Sequence, residues 1–480
     1  MDTELTIDEH PRIIGGIYQG GHMQIQIYQR ADKRKVPFAP LDKNHVRLYV
    51  CGPTVYSTPH IGNARPAVVF DGFVRLLRAL YPEVTYVRNI TDVDDKINAK
   101  AADESVAIDV ITKRYTKCYH EDLAALGCLA PDVEPKATEH MPEMIAMISA
   151  LIKRGHAYQS QGHVCFSVPS YKDYGVVSGR DHSARKAGAR VAVEAYKQHE
   201  EDFVLWKPSQ EKDPGWDSPW GRGRPGWHIE CSAMIEKHLG LPIDIHGGGG
   251  DLLFPHHENE NAQGCCFREQ KEYVKYWMHN GMVNIDDEKM SKSLGNILLV
   301  RDLLQEAPGE VVRLALLQTH YRQPLRWHDK TLEQAKQSLD KAYRVLDMVS
   351  STEVSDCSWS DIPKPIIEAL CDDYNTPLAL THWQALYRKI QQQSTIQPDD
   401  VKALRATHQI LGLGQQDPET WFKTAKQSSL TAETINQLIE ERNQARAKRD
   451  FQTADRIRDQ LHEQGVEIED SGKETIWRYR

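Results

Sequence analysis

VRLYVCGPTVYSTPHIGNARPAVVFDGFVRLLRALYPEVTYVRNITDVDD, residues 46–95, is the stretch whose reading decides the fold. Val46, Leu48 and Val50 alternate with their neighbours, the period of a strand. A loop carrying Gly52, Pro53, Pro59 and Gly62 follows, then the helical run VVFDGFVRLLRALYP and a second strand in VTYVRNI. Strand, glycine-bearing loop, helix and strand make a β-α-β unit, and its strands lie parallel because the helix returns the chain across the sheet. Ligands of such sheets bind at the carboxyl ends of the strands, so the polar loops after Val50 and Ile90 mark where chemistry belongs.

Working outward, residues 1–22 carry no period and read as an N-terminal tail, with either Met1 or Met23 as the start; Met23 opens the alternating run MQIQIYQR. Residues 23–100 form the first half of a Rossmann-like domain. From 101 to 205 charged helical segments and short strands read as an insertion that connects the halves. The second half, 206–300, resumes the sheet with GWHIECSAM and the strand PIDIH, continues through HGGGGD and the helical HHENENAQGCC, and closes on the loop NIDDEKMSKSLGN. After a joining region at 301–330, Leu332, Ala335, Leu339, Ala342 and Leu346 recur at three and four residues, one buried face of a helical bundle spanning 331–412. Residues 413–429 form a linker, and 430–480 give helices ending at Gly465 and a hairpin about an Asp-Ser-Gly-Lys turn. The expected fold is α/β: a Rossmann-like, doubly wound parallel sheet with an insertion, then an α-helical bundle and a small C-terminal α/β unit.

At 480 residues the chain exceeds one core, since domains average roughly 150 residues. Its 40% hydrophobic and 26% charged content excludes wholesale disorder and fibrous repeats. No apolar window is long enough to span a bilayer, so the expected partners include no membrane. Nine cysteines, at 51, 118, 128, 165, 231, 265, 266, 357 and 371, are too sparse for a disulfide scaffold; the expected compartment is a reducing cytoplasm where thiolates stay free for metal. A net charge of -9 does not advertise a nucleic-acid binder, so any RNA contact needs local basic faces. Arg442, Arg446, Arg449 and Arg456 offer one at helical spacing, although the interspersed acids fit a plain solvated face equally well.

Two motifs concern phosphate. In PHIGNAR, His60 and Asn63 flank a strand-to-helix turn, with Gly62 letting the backbone approach an anion at a helix N-terminus. In KMSKS, Lys289 and Lys292 can neutralise a triphosphate. Either alone is compatible with an ordinary turn or surface loop. Together and in this order they resemble the HIGH and KMSKS signatures of class I aminoacyl-tRNA synthetases. The resemblance implies that His60, Gly62 and Asn63 hold ATP phosphates and that Lys289 and Lys292 act in catalysis at the α-phosphate and leaving pyrophosphate. Asn63 stands where that family has a histidine, and it donates a hydrogen bond but carries no charge.

A third group is metal-like: Cys51, Cys231, His256 and Glu260, with the last two at i and i+4 on one helix face. A mixed sulfur, imidazole and carboxylate set suits zinc better than magnesium or calcium, though spacing alone also fits two structural cysteines and a capping glutamate. His228, His246 and His257 lie close by as polar neighbours. These positions resemble the cysteinyl-tRNA synthetase family, as do CGPTVY, RNITDVDDK, GARV, HGGGGDLLFPHHENE, DDYNTP, ADRIRDQL and IWRYR, from about Met23 to Arg480. The resemblance implies one Zn2+ held by Cys51, Cys231, His256 and Glu260, with Cys51, Thr91 and Trp227 around the amino acid, Gly248 and Asp251 beside the adenosine, and Mg2+ accompanying ATP. It further implies a monomer with three substrates: L-cysteine, ATP and tRNA(Cys). Zinc would select the substrate thiolate, because a required polar contact rejects an analogue by on the order of 10⁴ where an apolar pocket manages about 10 to 200. Two alternatives remain at this stage. One is an ATP-dependent cysteine:amino-sugar ligase of the same ancestry, which would not need the residues after about 330; the other is a non-catalytic RNA-binding paralogue.

Overall fold

The computed structural model describes residues 23–180, 194–211, 213–286, 288–290, 295–423, 432–471 and 474–479. Its centre is the parallel sheet expected from the sequence. Strand β1 (His45–Val50) leads into helix α1 (Ile61–Leu80) and back to β2 (Glu83–Arg88); after the insertion come α2 (Trp227–His238), β3 (Ile243–Gly249), α3 (Glu258–Arg268) and β4 (Val274–Asn280). The strand order is β4-β3-β1-β2, every pair parallel. One β-α-β unit winds outward from β1 and the other outward from β3. A crevice therefore opens where the two neighbouring carboxyl ends diverge, and ligands of doubly wound sheets sit in that crevice.

GWHIECSAM does not resume the sheet as expected; it forms most of α2. The burial explains why. Ile229 and Ala233 join the core of the insertion, whereas Cys231, Met234 and Ile235 join the cluster around Tyr49, Val87 and Ile243. Spacings of three and four between two apolar surroundings need a helix, since a strand would send alternate residues to one side.

Between the two halves in sequence come helices Asp95–Glu104, Ile108–Ala125 and Met141–Lys153 and an antiparallel sheet of Ala157–Ser160, His163–Phe166, Phe203–Pro208 and Gly223–Pro225. Met144, Ile148, Val164, Phe166 and Trp206 pack there with Ala262 and Cys266 of α3. The two helices behind the crevice are thus held from the insertion side as well as from the sheet.

Most of α1 is buried because a second layer covers it: Phe70, Phe73 and Leu77 share one apolar core with helices Gly309–Leu317, Thr331–Val349, Lys364–Cys371, Thr376–Gln391 and Pro398–Leu411. Asp71 anchors this contact, ion-paired to Arg75 and Arg313, whose guanidiniums reach the main-chain oxygens of Gln409 and Leu411. The C-terminal unit has its own core of Ile435, Ile439, Ile457, Leu461, Val466 and Trp477, built on helices Ala432–Ala447 and Phe451–Glu463 and the antiparallel pair Val466–Ser471 and Glu474–Tyr479. Among the described residues no helix is long and apolar enough to cross a membrane.

Candidate metal centre and phosphate cleft

Cys51 is the first residue beyond β1, and its N–H donates to Gly247 O of β3 at 3.1 Å, which fixes it on the crevice floor. Cys231 projects from α2, His256 from the turn before α3, and Glu260 from α3 itself. Three segments, the last supplying both His256 and Glu260, thereby bring two sulfurs, one imidazole nitrogen and one carboxylate oxygen within 4.8 Å of one another. The two sulfurs lie 3.8 Å apart as free thiols; Cys51 Sγ is 3.7 Å from Glu260 Oε1, and His256 Nε2 is 2.9 Å from the same oxygen.

The electrostatics distinguish the four. Burial, with Cys231 beside it, pushes the Cys51 thiol well up, so Cys51 keeps its proton and shares it with Cys231. That hydrogen bond from Cys51 brings the Cys231 thiol down to about 6 against the opposing effect of burial. Burial works against the Glu260 carboxylate too, but the imidazoles of His246 and His256 outweigh it and hold Glu260 well below the usual carboxylate range. Two sulfurs, an imidazole and a carboxylate, the last three buried, gather soft and hard donors at one point. This composition fits zinc.

The surrounding groups orient the donors. His246 Nε2 lies 2.9 Å from Glu260 Oε2, leaving the other oxygen toward Cys51, and His228 Nδ1 meets His256 Nδ1 at 2.9 Å, leaving Nε2 toward Glu260. Burial and the His256 imidazole pull His228 down to about 3, so it stays neutral. Cys51, His246, His257 and Glu260 form a second group of close donors. His246 reads from the sequence as one more polar neighbour; its direct bond to Glu260 forms because the turn between β3 and α3 folds the helix back over the strand end.

Trp227 lies over the ring of His256, centroids 4.2 Å apart at 26°, yet is 39% exposed, so it walls the centre on the solvent side. Thr91 is buried beside the loop after β1: its N–H donates to Pro53 O at 3.1 Å, and its hydroxyl accepts from Asn89 Nδ2 at 3.2 Å. Asn89, which sequence reasoning missed, also accepts the Gly52 N–H through Oδ1 at 2.9 Å. Gly52 cannot be replaced there, since a Cβ would overlap the Asn89 carbonyl.

On the phosphate side His60 caps α1, and its N–H donates to Asn63 Oδ1 at 3.1 Å. Asn63 thus helps to shape the turn, a role open to its carboxamide oxygen. A cleft lined by Pro53, Thr54, Tyr56, His60, Asn63 and Tyr115 opens beside this turn. A Cβ on Gly62 would come within 3.0 Å of both the His60 ring and Met290 Cε, so the glycine lets Met290 pack on the helix N-terminus. Lys289 ends the short strand Glu288–Lys289, paired with Asn284 and Ile285; its side chain, like the whole of Lys292, lies outside the described residues, as does GARV. Gly248 sits at the end of β3, where a Cβ would be 3.0 Å from His257 and Leu252, and Asp251 is exposed on the following turn. In the C-terminal unit Arg442 and Arg446 pair with Asp470, whereas Arg449 and Arg456 are exposed.

Residues 37–337 match the family described as tRNA synthetases class I (C) catalytic domain, and residues 429–478 match the cysteinyl-tRNA ligase anticodon binding domain. Similar full-length relatives are a cysteine–tRNA ligase of Rhodospirillum rubrum, 53% identical over 461 residues covering 95% of this chain and 100% of that protein, and one of Saccharophagus degradans, 51% identical over 462 residues with 95% and 100% covered. Among solved structures, the methionyl-tRNA synthetase of Mycobacterium tuberculosis in complex with methionyl-adenylate superposes with a TM-score of 0.55 at 15% identity, covering 77% of this chain and 89% of that one. That likeness concerns the fold alone.

Proposed function

The chain belongs to the cysteine–tRNA ligases, class I aminoacyl-tRNA synthetases, and from that premise we propose that cysteine, ATP and tRNA(Cys) meet in the crevice between β1 and β3. The reaction is the ATP-dependent ligation of cysteine to its tRNA: the cysteine carboxylate attacks the α-phosphate, pyrophosphate leaves, and the terminal ribose hydroxyl of the tRNA then takes the acyl group from cysteinyl-adenylate, releasing AMP. One observation carries the placement. The four-donor centre and the His60 turn lie at opposite ends of a single loop, residues 51–60, at the carboxyl end of β1.

Cys51, Cys231, His256 and Glu260 would hold one Zn2+, which when bound supplies a soft Lewis acid that prefers a thiolate to a hydroxyl. Trp227 and Thr91 close the amino-acid pocket, and Gly248 and Asp251 take the nucleoside side of the crevice. His60 and the positive end of the α1 dipole hold the phosphates, and Mg2+ comes with ATP. Lys289 and Lys292 stabilise charge on the α-phosphate and the departing pyrophosphate; the chemistry is mostly positioning and electrostatics. Residues 301–330 contact the tRNA stem, and the bundle and C-terminal unit reach the anticodon side. The presence of those two units, covered end to end by the tRNA ligase relatives, favours this reading over the amino-sugar ligase. The enzyme acts as a cytoplasmic monomer.

Cysteine-dependent exchange of pyrophosphate into ATP, followed by charging of tRNA(Cys), tests the proposal with one zinc expected per chain. Exchange driven equally by serine, in protein retaining its metal, would overturn it.

A further inference from the structure

Arg65 lies in α1 two residues beyond Asn63, with no exposure to solvent. Among the described residues no carboxylate pairs with it. Its guanidinium donates to main-chain oxygens instead: Nη1 to Gly281 O and Met282 O at 2.8 Å each, and Nη2 to Gln323 O at 2.6 Å, with His320 O and Tyr321 O at 3.4 Å. Burial of the cation without a counter-charge pulls its pKa down to about 10. A buried charge is costly and an apolar side chain of similar volume would fill the space without that cost, so what the position supplies beyond packing is the set of carbonyl contacts.

Those carbonyls belong to two segments. Gly281 and Met282 run from the end of β4 into strand Val283–Ile285, which pairs with Glu288–Lys289 at the entrance to the lysine loop. Gln323 precedes strand Leu325–Trp327, which lies parallel to Val283–Ile285 and leads into the bundle. On the exit side of the lysine loop, Leu298 O accepts the Ile61 N–H at 2.9 Å and the Val300 N–H donates to Pro59 O at 3.0 Å. Both roots of the loop are therefore fastened to the first turns of the helix whose N-terminus carries His60.

We infer that Arg65 is a positioning residue of the activation step, fixing the span between the start of α1 and the strand pair that leads into the lysine loop. The inference rests on the proposed roles of His60 and the two lysines. Arg65→Lys keeps the charge but offers one ammonium that cannot bridge both segments, and Arg65→Met keeps only the volume. In either variant kcat for cysteine-dependent pyrophosphate exchange should fall on the order of 100-fold, the scale of a misplacement near 1 Å. The KM for cysteine, the zinc content and the single-turnover transfer from preformed cysteinyl-adenylate to tRNA should not change, because the lysine loop acts before transfer. General loss of structure would lower the active-site titre and slow both steps alike.

Gly281→Ala supplies a second variant that leaves Arg65 intact, since a Cβ there would overlap the Gln323 main chain and part the two segments. If neither Arg65 variant folds, a loss confined to exchange in Gly281→Ala supports the inference, and a uniform loss or none overturns it. Wild-type exchange with unaffected Arg65 variants overturns this inference alone. Absence of exchange in the wild-type protein overturns the functional reading and this inference with it.

Discussion

Glu260 accepts from two imidazoles at once, one on each carboxylate oxygen, and its own position is set by neither neighbour in sequence. His246 holds Oε2 from β3, so His246→Ala frees the carboxylate to rotate. Partners that orient metal-binding groups typically contribute 10–100-fold in affinity, and a loss of about that size is expected when zinc is competed away from the variant by a chromophoric chelator. An unchanged affinity would show that the remaining partners, the Tyr273 hydroxyl on Oε2 and His256 on Oε1, suffice to hold Glu260. For the proposed role of the lysine loop, Lys292→Ala should lower kcat for exchange far more than it raises KM for ATP, because in that proposal its charge meets the substrate mainly as pyrophosphate departs. Steady-state kinetics decide this, and an unchanged kcat removes the lysine from the mechanism. At this scale residue types were legible from the sequence: thiols, imidazole and carboxylate in one chain, and two lysines in a glycine-flanked loop. The partners of those residues were not, since Asn89, His246 and Arg65 act through bonds to segments far along the chain.

Helices α1 and α2 carry opposite lessons. The apolar run after Pro66 is long enough to announce α1 unaided, whereas WHIECSAM is short, mixes polar with apolar residues, and becomes a helix because it is packed from two sides. In the bundle, helix Pro398–Leu411 carries His408, buried with its Nε2 2.8 Å from the Tyr387 hydroxyl. Burial brings its pKa down to about 3, so the folded protein holds it neutral. Because the folded value lies below the unfolded value of about 6.5, the stability this residue contributes is complete above about pH 6.5 and is lost progressively as pH falls toward about 3. The urea midpoint of wild-type protein should drop across that range more steeply than that of His408→Gln. In the C-terminal unit, two of the four arginines that read as one basic face are engaged by Asp470, which leaves Arg449 and Arg456 on the exposed surface. Replacing both with alanine should raise the KM for tRNA and flatten its dependence on salt by about one unit of logarithmic slope per residue, with pyrophosphate exchange unaltered. A change in exchange would place the arginines' influence elsewhere than in tRNA binding.

Across the whole molecule, the catalytic sheet and the helical bundle share one apolar core, sealed by the buried Asp71, Arg75 and Arg313 ion pairs at α1. Arg313→Met leaves Asp71 with Arg75 alone, whose side chain is 14% exposed, and removes the bonds to Leu126 and Leu411 oxygens; breaking a buried pair typically costs about 3–5 kcal/mol, measurable as a lower denaturation midpoint. A midpoint shift of less than about 1 kcal/mol equivalent would show that the layers do not depend on the Arg313 bonds. The sequence by itself determined the β-α-β start, the bundle, the terminal hairpin and the residue types able to bind metal and phosphate, because periodicity and side-chain chemistry are local properties. Only the tertiary structure decided that Cys51, Cys231, His256 and Glu260 converge, that α2 is a helix, and that Arg65 grips the segment leading into the lysine loop. Convergence depends on which strand ends become neighbours, and that order, β4-β3-β1-β2, is settled by the burial of apolar faces against one another and is written in no single stretch of the chain.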